Sequence, residues 1–445
     1  MFAGHGLLIS ALTRCSIGEF SIEQSMTAAV VIFGIVYLFI ALSKIPNAVI
    51  AIIGAVTLLL LQIVTEEEVF HHIDLEVIFL LAAMMSLANV AGRTGAFDWA
   101  AIKSAQLVRG DGFLLLVLLA ILTAVASAFL DNVTVVVLAV PITLSLCKTL
   151  KLDPIPFLLS QVFASNIGGA ATIVGDPPNI IIASAADIGF VEFMAHITIP
   201  ALLSMLALIG LLFIWFRNKV STDVDSRQSV MEQRPDELIT DRGLLIKTGA
   251  VLGLTVLGFL FQDVLKVSPA IIAMSGAGLL FVVTQVDPHD VLSHVEWDTL
   301  TFFVGLFILV GGLVETGVID RAQEWMVDIS GGDERNLAFI MVWFGGTASA
   351  IVDNIPFTAT MVEIVAKIVE ENPAEQTSPL WWALVMGADF GGNATMVGAS
   401  ANVLVVSMAR ARGYPISFIG FMKYGIPISV VSMLISTGYI WIRYY

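Results

Sequence analysis

The sequence predicts an all-α polytopic membrane protein built from two inverted repeats. Hydrophobic residues make up 58% of the 445 positions, and the mean hydropathy is +0.92. Only 13% of the residues are charged, about half the share found in soluble globular domains. The net charge of −16 argues against a basic surface that binds nucleic acid. The composition therefore excludes a soluble enzyme and a disordered chain.

Apolar stretches long enough to cross a bilayer, roughly 20 residues each, follow one another along the chain. After an N-terminal extension over 1–24, they predict ten spans: 25–43, 47–64, 75–93, 157–186, 198–216, 244–264, 268–286, 299–318, 379–409 and 424–442. Two further apolar stretches, 112–149 and 336–370, carry a polar tetrapeptide at their centre. Such a centre is typical of a re-entrant hairpin tip rather than of a helix facing lipid.

The distribution of Lys and Arg predicts the orientation of the chain in a cell's inner (plasma) membrane. With both termini outside, 15 of the 21 basic residues lie on the cytoplasmic side. Only the acidic loop 287–298 falls inside against this pattern. Residues 218–243 carry both charge signs and Pro235, which predicts a solvated cytoplasmic linker with room for a short surface helix. The first 20 residues show no removable signal peptide.

The two halves of the chain, 25–217 and 244–445, repeat the same polar residues in the same order. At an offset of 222 residues, Thr94-Gly95 matches Thr316-Gly317 and Asp131-Asn132 matches Asp353-Asn354. At an offset of 223, the segment 168–175 matches 391–398. Each copy holds five spans and one hairpin, and this odd number of crossings predicts that the second copy is inverted.

Each hairpin tip is predicted to begin a helix near the middle of the membrane. Asp131 or Asn132 suits an N-cap position, and Pro356 suits a first helical turn. A helix that begins there directs its positive end towards the centre of the protein. The amides and hydroxyls at the tips are therefore candidate substrate ligands, namely Asn132, Thr134, Asn354 and Thr358.

Two spans are predicted to be broken at their centres. Pro177 and Pro178 cannot donate to the preceding turn, whereas the second break has no proline and is expected to unwind less. The predicted hinge and unwinding residues are Gly168, Gly169, Gly175, Pro177, Pro178, Gly391, Gly392 and Gly398. The polar side chains near the breaks are further candidate substrate ligands, namely Asn166, Thr172, Asn179, Asn393, Thr395 and Asn402.

Four acids within apolar segments are candidates for proton coupling: Asp131, Asp176, Asp353 and Asp389. A single Asn or Thr in a membrane helix usually makes only a structural hydrogen bond to a neighbouring helix. An acid is costly in lipid and therefore indicates function by default. A buried structural pair or a permanently protonated acid is the alternative for three of them, and Asp176 is equally well explained as a helix cap.

At these residues the chain resembles the branch of the ion transporter superfamily that contains the melanosomal P protein and the arsenite permeases called ArsB. The resemblance runs from about residue 25 to the end. The matching motifs are Asp353-Asn354-Ile355-Pro356-Phe357-Thr358-Ala359-Thr360-Met361, Gly398-Ala399-Ser400-Ala401-Asn402-Val403, and Asn166-Ile167-Gly168-Gly169-Ala170-Ala171-Thr172 followed by Gly175-Asp176-Pro177-Pro178-Asn179. The resemblance implies scaffold and transport subdomains, an elevator-type movement and a homodimer. Members that bind sodium have Ser-Asn-Thr at the tips, and the acids here favour a protonatable tip.

The resemblance also implies a substrate, namely arsenite or antimonite exported in exchange for protons. Arsenite is an uncharged trihydroxide, so amides, hydroxyls and carboxylates suit it. A thiol is not required, because Cys15 precedes the first span and Cys147 lies near an inner boundary. The absence of Lys and Arg near the tips and breaks argues against a strongly anionic substrate, although helix N-termini also bind anions. No metal ion or cofactor is expected, and association with a cytoplasmic ATPase stays open.

Other classes of function remain as alternatives to this prediction. The same fold suits a sodium/proton antiporter or a transporter of dicarboxylate-type anions, a reading that predicts transport that depends on sodium and survives when the Asp residues are neutralised. A channel is less compatible with broken helices in inverted copies. An intramembrane aspartyl protease is disfavoured because Asp131 and Asp353 occur in two copies of one motif, not in unlike motifs.

Overall fold

The computed structural model describes residues 22–42, 45–371 and 378–445, and every regular element in these ranges is a helix. Up to the end of the linker the helices are α1 (Ile22–Leu42), α2 (Asn47–Leu60), α3 (Glu66–His72), α4 (Leu75–Gly92), α5 (Ala96–Leu107), α6 (Gly112–Ser127), α7 (Asn132–Thr149), α8 (Ile155–Gly169), α9 (Pro177–Ala185), α10 (Phe190–Phe216) and α11 (Val224–Met231). After it they are α12 (Arg242–Leu260), α13 (Gln262–Leu265), α14 (Pro269–Thr284), α15 (Pro288–Leu292), α16 (Trp297–Glu315), α17 (Val318–Ser330), α18 (Glu334–Ile351), α19 (Asn354–Glu370), α20 (Pro379–Gly391), α21 (Ser400–Ala411) and α22 (Phe418–Tyr444). The prediction of an all-α chain is confirmed, while Cys15 lies outside the described residues.

Seven described helices are long and apolar enough to cross a membrane. They are α4, α7, α10, α12, α16, α22 and the segment Glu23–Ile40 of α1. Three shorter apolar helices, α2, α6 and α14, add to them. The two spans predicted to be broken, 157–186 and 379–409, are each two shorter helices, which is why neither is among the seven. A polytopic membrane protein is therefore confirmed. The count of ten spans and the re-entrance of the hairpins stay predictions, since α7 alone is long enough to cross.

The described residues form two compact units. One comprises residues up to Asp74 together with Asp298–Glu324, and the other comprises Leu75–Trp297 and Trp325–Tyr445. The smaller unit depends on glycines where its helices meet. A Cβ on Gly305 of α16 would lie 2.8 Å from the backbone of Ala51 in α2, so only glycine permits this approach. In the same unit His72 contacts Glu315 at 3.0 Å.

In the larger unit each predicted hairpin is a pair of helices with a short tip. The first pair is α6 and α7, joined by residues 128–131, and the second is α18 and α19, joined by residues 352–353. Both broken spans are also present, as α8 and α9 around residues 170–176 and as α20 and α21 around residues 392–399. The second break keeps a 3-10 turn over Gly392–Ala394, and its smaller unwinding stays a prediction.

In the larger unit, the broken span of each half packs against the hairpin of the other half. Helix α9 packs against α19, and α21 packs against α7. Within each half the arm of the hairpin packs against the broken helix, α6 against α8 and α18 against α20. As a result both tips and both breaks meet in one region.

The linker 218–243 is mostly exposed and contains the short helix α11, while a few of its residues pack on neighbouring helices. Its helix α11 contacts α5 and α7, and Val230 is fully buried. Gln106 of α5 donates to the carbonyl oxygens of Val230 and Gln233, the latter at 2.8 Å.

Gly95 should be more sensitive to substitution than its repeat counterpart Gly317. Both have left-handed backbone, with φ of +76° and +75°. A Cβ on Gly95 would lie 2.0 Å from the carbonyl oxygen of Leu238 in the linker, whereas a Cβ on Gly317 would have no neighbour within 3.6 Å. Gly95→Ala should therefore free the linker, and Gly317→Ala should cost only the backbone strain of about 1 kcal/mol.

Limited proteolysis of the purified protein measures this difference. The linker should be cleaved much faster in Gly95→Ala than in the wild type, and Gly317→Ala should be cleaved at the wild-type rate. Equal cleavage of the two variants would contradict the packing of the linker on the start of α5.

Candidate functional site

The tip acids Asp131 and Asp353 cap the helices that follow them. The Asp131 carboxylate accepts a hydrogen bond from the backbone N–H of Thr134 at 3.0 Å. The Asp353 carboxylate accepts from the N–H of Ile355 at 3.1 Å and from the hydroxyl of Ser400 at 2.9 Å. Such a bond satisfies a donor that would otherwise be unpaired in an apolar setting. Both acids therefore have a structural role, in addition to any role in proton coupling.

Asp176 is the point where the two hairpin tips meet. Its carboxylate accepts from the amide of Asn132 at 2.6 Å and from the amide of Asn354 at 3.4 Å. Asp176 is also the N-cap residue of α9, and the two asparagines begin α7 and α19. Three helix N-termini, each with a partial positive charge, therefore surround one buried carboxylate. The two hairpin tips are thereby joined through a single side chain.

A second cluster joins the first broken span to the second. The amide of Asn166 donates to the side-chain oxygens of Asn393 and Asn402, each at 3.0 Å. All three asparagines are fully buried or nearly so. Because Asn166 lies on α8 and the other two lie at the second break, these bonds link the two halves of the chain.

Both breaks are held by the same set of hydrogen bonds. The amide of Asn179 donates to the carbonyl oxygens of Gly169 and Thr172, at 3.1 and 3.0 Å. The amide of Asn402 donates to those of Gly392 and Thr395, both at 2.8 Å. The hydroxyls of Thr172 and Thr395 donate to the tip carbonyls of Ala128 and Ala350. The unwound carbonyls thus find partners within the protein, which explains why the second break forms without a proline.

The predicted hinge glycines lie where two backbones nearly touch. A Cβ on Gly168 would be 2.1 Å from the carbonyl oxygen of Ala124, and one on Gly391 would be 2.4 Å from Gly346. A Cβ on Gly169 would be 2.5 Å from the side chain of Asn132. The remaining glycines, Gly175, Gly392 and Gly398, approach the backbone of the same breaks and tips. Close packing is therefore their observed role, and a hinge movement stays a prediction.

Asp389 is buried and differs sharply from Asp176 in its contacts. Neither of its carboxylate oxygens has a well-formed hydrogen bond within the described part of the chain, although Asn179 lies beside it. It is close enough to Asp176 for the two charges to interact. None of the ion pairs among the described residues involves either acid or the tip acids. Asp389 thus differs from Asp176, which accepts two side-chain amides.

Several polar atoms at the centre also lack a partner among the described residues. They are the side-chain oxygens of Asn166, Asn179 and Thr358 and the amide nitrogen of Asn393. Buried polar atoms in proteins nearly always have partners, so these mark places where a bound molecule can form hydrogen bonds. The other predicted ligands have hydrogen-bond partners within the protein, and the hydroxyl of Thr134 donates to Asp131 at 3.4 Å.

Two serines that were not predicted as site residues form hydrogen bonds beside the first tip. Ser165 donates to the side-chain oxygen of Asn132 at 3.3 Å and is paired with Ser127 at 2.7 Å. In the second half Ser349 instead donates to the carbonyl of Ala388 at 2.6 Å. Ser127 and Ser349 are themselves repeat-related, at the offset of 222, so the self-similarity already contained the signal.

The two central acids are not repeat-related. At the offset of 223, Asp176 corresponds to Ala399, and Asp389 corresponds to Asn166. Each half therefore supplies one acid, at a different place in its broken span.

Asn179→Asp should destabilise the protein strongly. An ionised carboxylate cannot donate, so the carbonyls of Gly169 and Thr172 would lose their partner and face a negative charge. Leaving buried polar groups unpaired costs about 1–3 kcal/mol each, so we expect a loss of at least ~2 kcal/mol. Asn336→Asp, at a partly exposed amide that donates to Ser330, should cost far less. Thermal unfolding of the two variants in detergent measures the difference, and equal melting temperatures would contradict the role of Asn179.

Comparison with known proteins identifies the family. The model of the CitMHS citrate transporter family matches residues 37–387 and, separately, 324–444. An uncharacterized transporter of Mycobacterium tuberculosis is 43% identical over 94% of this chain and 98% of its own length. The P protein of pig is 32% identical over 94% of this chain, and the matched region covers 60% of that protein. The sequence-based resemblance to the P protein is thus confirmed.

Two solved transporter structures share the fold. The YdaH transporter of Alcanivorax borkumensis superposes with a TM-score of 0.57 at 14% identity, covering 95% of this chain and 98% of its own. MtrF of Neisseria gonorrhoeae superposes with a TM-score of 0.55 at 9% identity, covering 98% and 97%. At these identities the likeness concerns the fold alone. Together with the family match over most of the chain, it establishes that this protein is a membrane transporter of the CitMHS family, within the ion transporter superfamily.

Proposed function

We propose that this transporter exchanges protons for a small, uncharged, oxygen-rich solute, with arsenite or antimonite as the first candidates. The observation that carries the proposal is the Asp176 carboxylate, which accepts an amide from each hairpin tip. A solute that offers its own hydroxyl groups to Asp176 competes with one of these amides. Binding of the solute would then change how firmly the tips are held together.

Asp389 is the residue we assign to the transported proton. It is buried beside Asp176, and its oxygens lack hydrogen bonds in the described part of the chain. Two adjacent carboxylates in an apolar setting are costly when both are charged, so one of them has a reason to take up a proton. Because two tip amides donate to Asp176, we assign the proton to Asp389 rather than to Asp176. Asp131 and Asp353 remain secondary candidates, because their carboxylates are occupied in capping.

The unpaired central atoms suit a neutral polyhydroxyl solute. A trihydroxide has three donors, and the side-chain oxygens of Asn166, Asn179 and Thr358 are acceptors without a partner among the described residues. The described thiol, Cys147, lies in the last turns of α7, at the opposite end of that helix from the tip. A neutral solute gains nothing from the membrane potential, so proton exchange would supply the driving force.

We further propose that the two halves are inverted repeats and that transport is an elevator-type movement. The matching hydrogen bonds of Asn179 and Asn402 support the repeat. Insertion in the plasma membrane with both termini outside, a homodimer and a cytoplasmic ATPase partner are further parts of this proposal, supported by the charge distribution or by the resemblance alone.

A second candidate is a transporter of citrate-type anions. The family description favours it, as do the helix N-termini of α7, α9 and α19 at Asp176, which suit a negative group when Asp176 is protonated. A sodium/proton antiporter of the same fold is a third candidate, although the tip acids occupy the place of the hydroxyls found in sodium-binding members.

Uptake into everted vesicles tests these alternatives. The purified protein is reconstituted, a pH gradient is imposed without sodium, and arsenite, citrate and sodium are supplied in turn as labelled solutes. Arsenite uptake that collapses with a protonophore supports the proposal. Citrate uptake alone would replace the substrate, and sodium-dependent uptake with no response to the pH gradient would refute proton coupling.

A further inference from the structure

A cavity in the larger unit lies apart from the central acids. It has a volume of about 360 Å³, within the range of small-molecule sites. Its walls come from the start of α4, from α9 and the loop that follows it, and from the connection between α12 and α14. The floor is apolar, with Leu80, Ile173 and Ile180, and Ile173 belongs to the first break.

The rim of the cavity is mainly acidic. Glu76, Asp187 and Asp263 line it, and Lys266 is the one basic residue among the lining side chains. Glu192 is a further acid close enough to feel the charges of Asp187 and Asp263. Asp187 and Lys266 have left-handed backbone, with φ of +51° and +53°, at positions after a helix end where glycine is usual. At both positions the backbone conformation favours glycine, yet each carries a charged side chain that lines the cavity.

The side chain of Gln262 indicates which kind of ligand the cavity binds. It lines the cavity, is only 8% exposed, and its side-chain oxygen has no hydrogen-bond partner in the described ranges. An unpaired buried oxygen needs a donor. Within the described residues no group of three His, Cys, Asp or Glu is arranged to hold a metal ion, so we consider an organic ligand with N–H donors.

We propose that this cavity binds a small aliphatic ammonium compound. The ammonium N–H groups donate to the Gln262 oxygen, the rim acids balance the positive charge, and the alkyl chain packs on the apolar floor. A diamine suits this site, because the lining acids exceed the lining lysine by two charges. Binding is a property of the folded protein and does not depend on which solute is transported.

Calorimetric titration of the full-length protein in detergent tests the site, with putrescine as the probe and 1,4-butanediol as the uncharged analogue. Putrescine should bind and butanediol should not. Gln262→Leu should weaken binding by at least about tenfold, because it removes a buried hydrogen bond to a charged group. Asp263→Asn, at an exposed position, should weaken it by up to about fivefold.

Lys266→Gln should change the affinity for putrescine in the opposite direction. Removing the one positive charge at the rim should tighten putrescine binding, which a general loss of structure would not do. Asp223→Asn, at an exposed cap in the linker, is the matched control and should leave binding unchanged. If Gln262→Leu lowers the melting temperature, Asp263→Asn and Lys266→Gln decide the question. Equal binding of butanediol, or unchanged affinity in both of these variants, would overturn the proposal.

Discussion

Asp176→Asn should reduce proton-coupled uptake by about 100-fold or more, while the protein still inserts and folds. The carboxylate offers acceptors to both Asn132 and Asn354. An asparagine has one acceptor oxygen, and its own NH₂ group would face the NH₂ group of one tip amide. A hydrogen bond to a charged group contributes about 1.5–3 kcal/mol; losing one such bond and turning the other into a neutral one accounts for an effect of about this size. Initial uptake rates in vesicles with an imposed pH gradient give the measurement.

Asp131→Asn is the informative comparison for this variant. Asparagine caps helices about as well as aspartate, so the start of α7 should survive the change. Retained uptake in Asp131→Asn together with lost uptake in Asp176→Asn would assign coupling to the central acids. Asp223→Asn in the linker controls for the loss of a charge elsewhere. Wild-type uptake and pH dependence in Asp176→Asn would contradict the proposed mechanism.

Gly168→Ala should prevent normal folding or lower the melting temperature by many degrees. The added methyl would lie 2.1 Å from the carbonyl oxygen and 2.5 Å from the Cα of Ala124, both of which are backbone atoms. No side-chain rotation relieves such a contact, so α6 and α8 would have to separate. Overpacking a core typically costs about 1–3 kcal/mol, and a clash with a fixed backbone belongs at or above the top of that range.

Gly210→Ala is the matched control, because Gly210 lies within α10 and a Cβ there would have no neighbour within 4 Å. Alanine is a better helix former, by about 0.5–1 kcal/mol, so this variant should be neutral or slightly more stable. Gly391→Ala, at the repeat-related contact with Gly346, should behave like Gly168→Ala. Thermal unfolding in one detergent ranks the three variants, and a stable Gly168→Ala would show that α6 and α8 pack less closely.

The sequence predicted the central elements because their signals are local. The tips were found from Asp131-Asn132 and Asp353-Asn354, and the breaks from glycines and prolines within apolar runs. Self-similarity then showed that these signals occur twice. Their convergence at Asp176 could not be predicted, since the two bonding asparagines are separated from it by 44 and 178 residues.

The sequence did not reveal elements whose signal depends on a partner. Helices α5 and α17 have 12 and 13 residues, too few to be recognised as spans, and the sequence analysis assigned no element to either. The contacts of the mostly exposed linker were likewise not predicted: Gln106 of α5 donates to the carbonyl of Gln233, and Gly95 lies against Leu238. Such packing depends on the tertiary surface, which the composition of a segment does not encode.

The unequal placement of the two central acids has a consequence for how this chain can be rebuilt. A protein made from two copies of the first half would have two residues like Asp176 and none like Asp389, and two copies of the second half would have the reverse. Neither duplicate would bring together a carboxylate that accepts two tip amides and one whose oxygens have no hydrogen bond in the described part of the chain. Each half supplies a different acid, so the pair of central acids requires both halves.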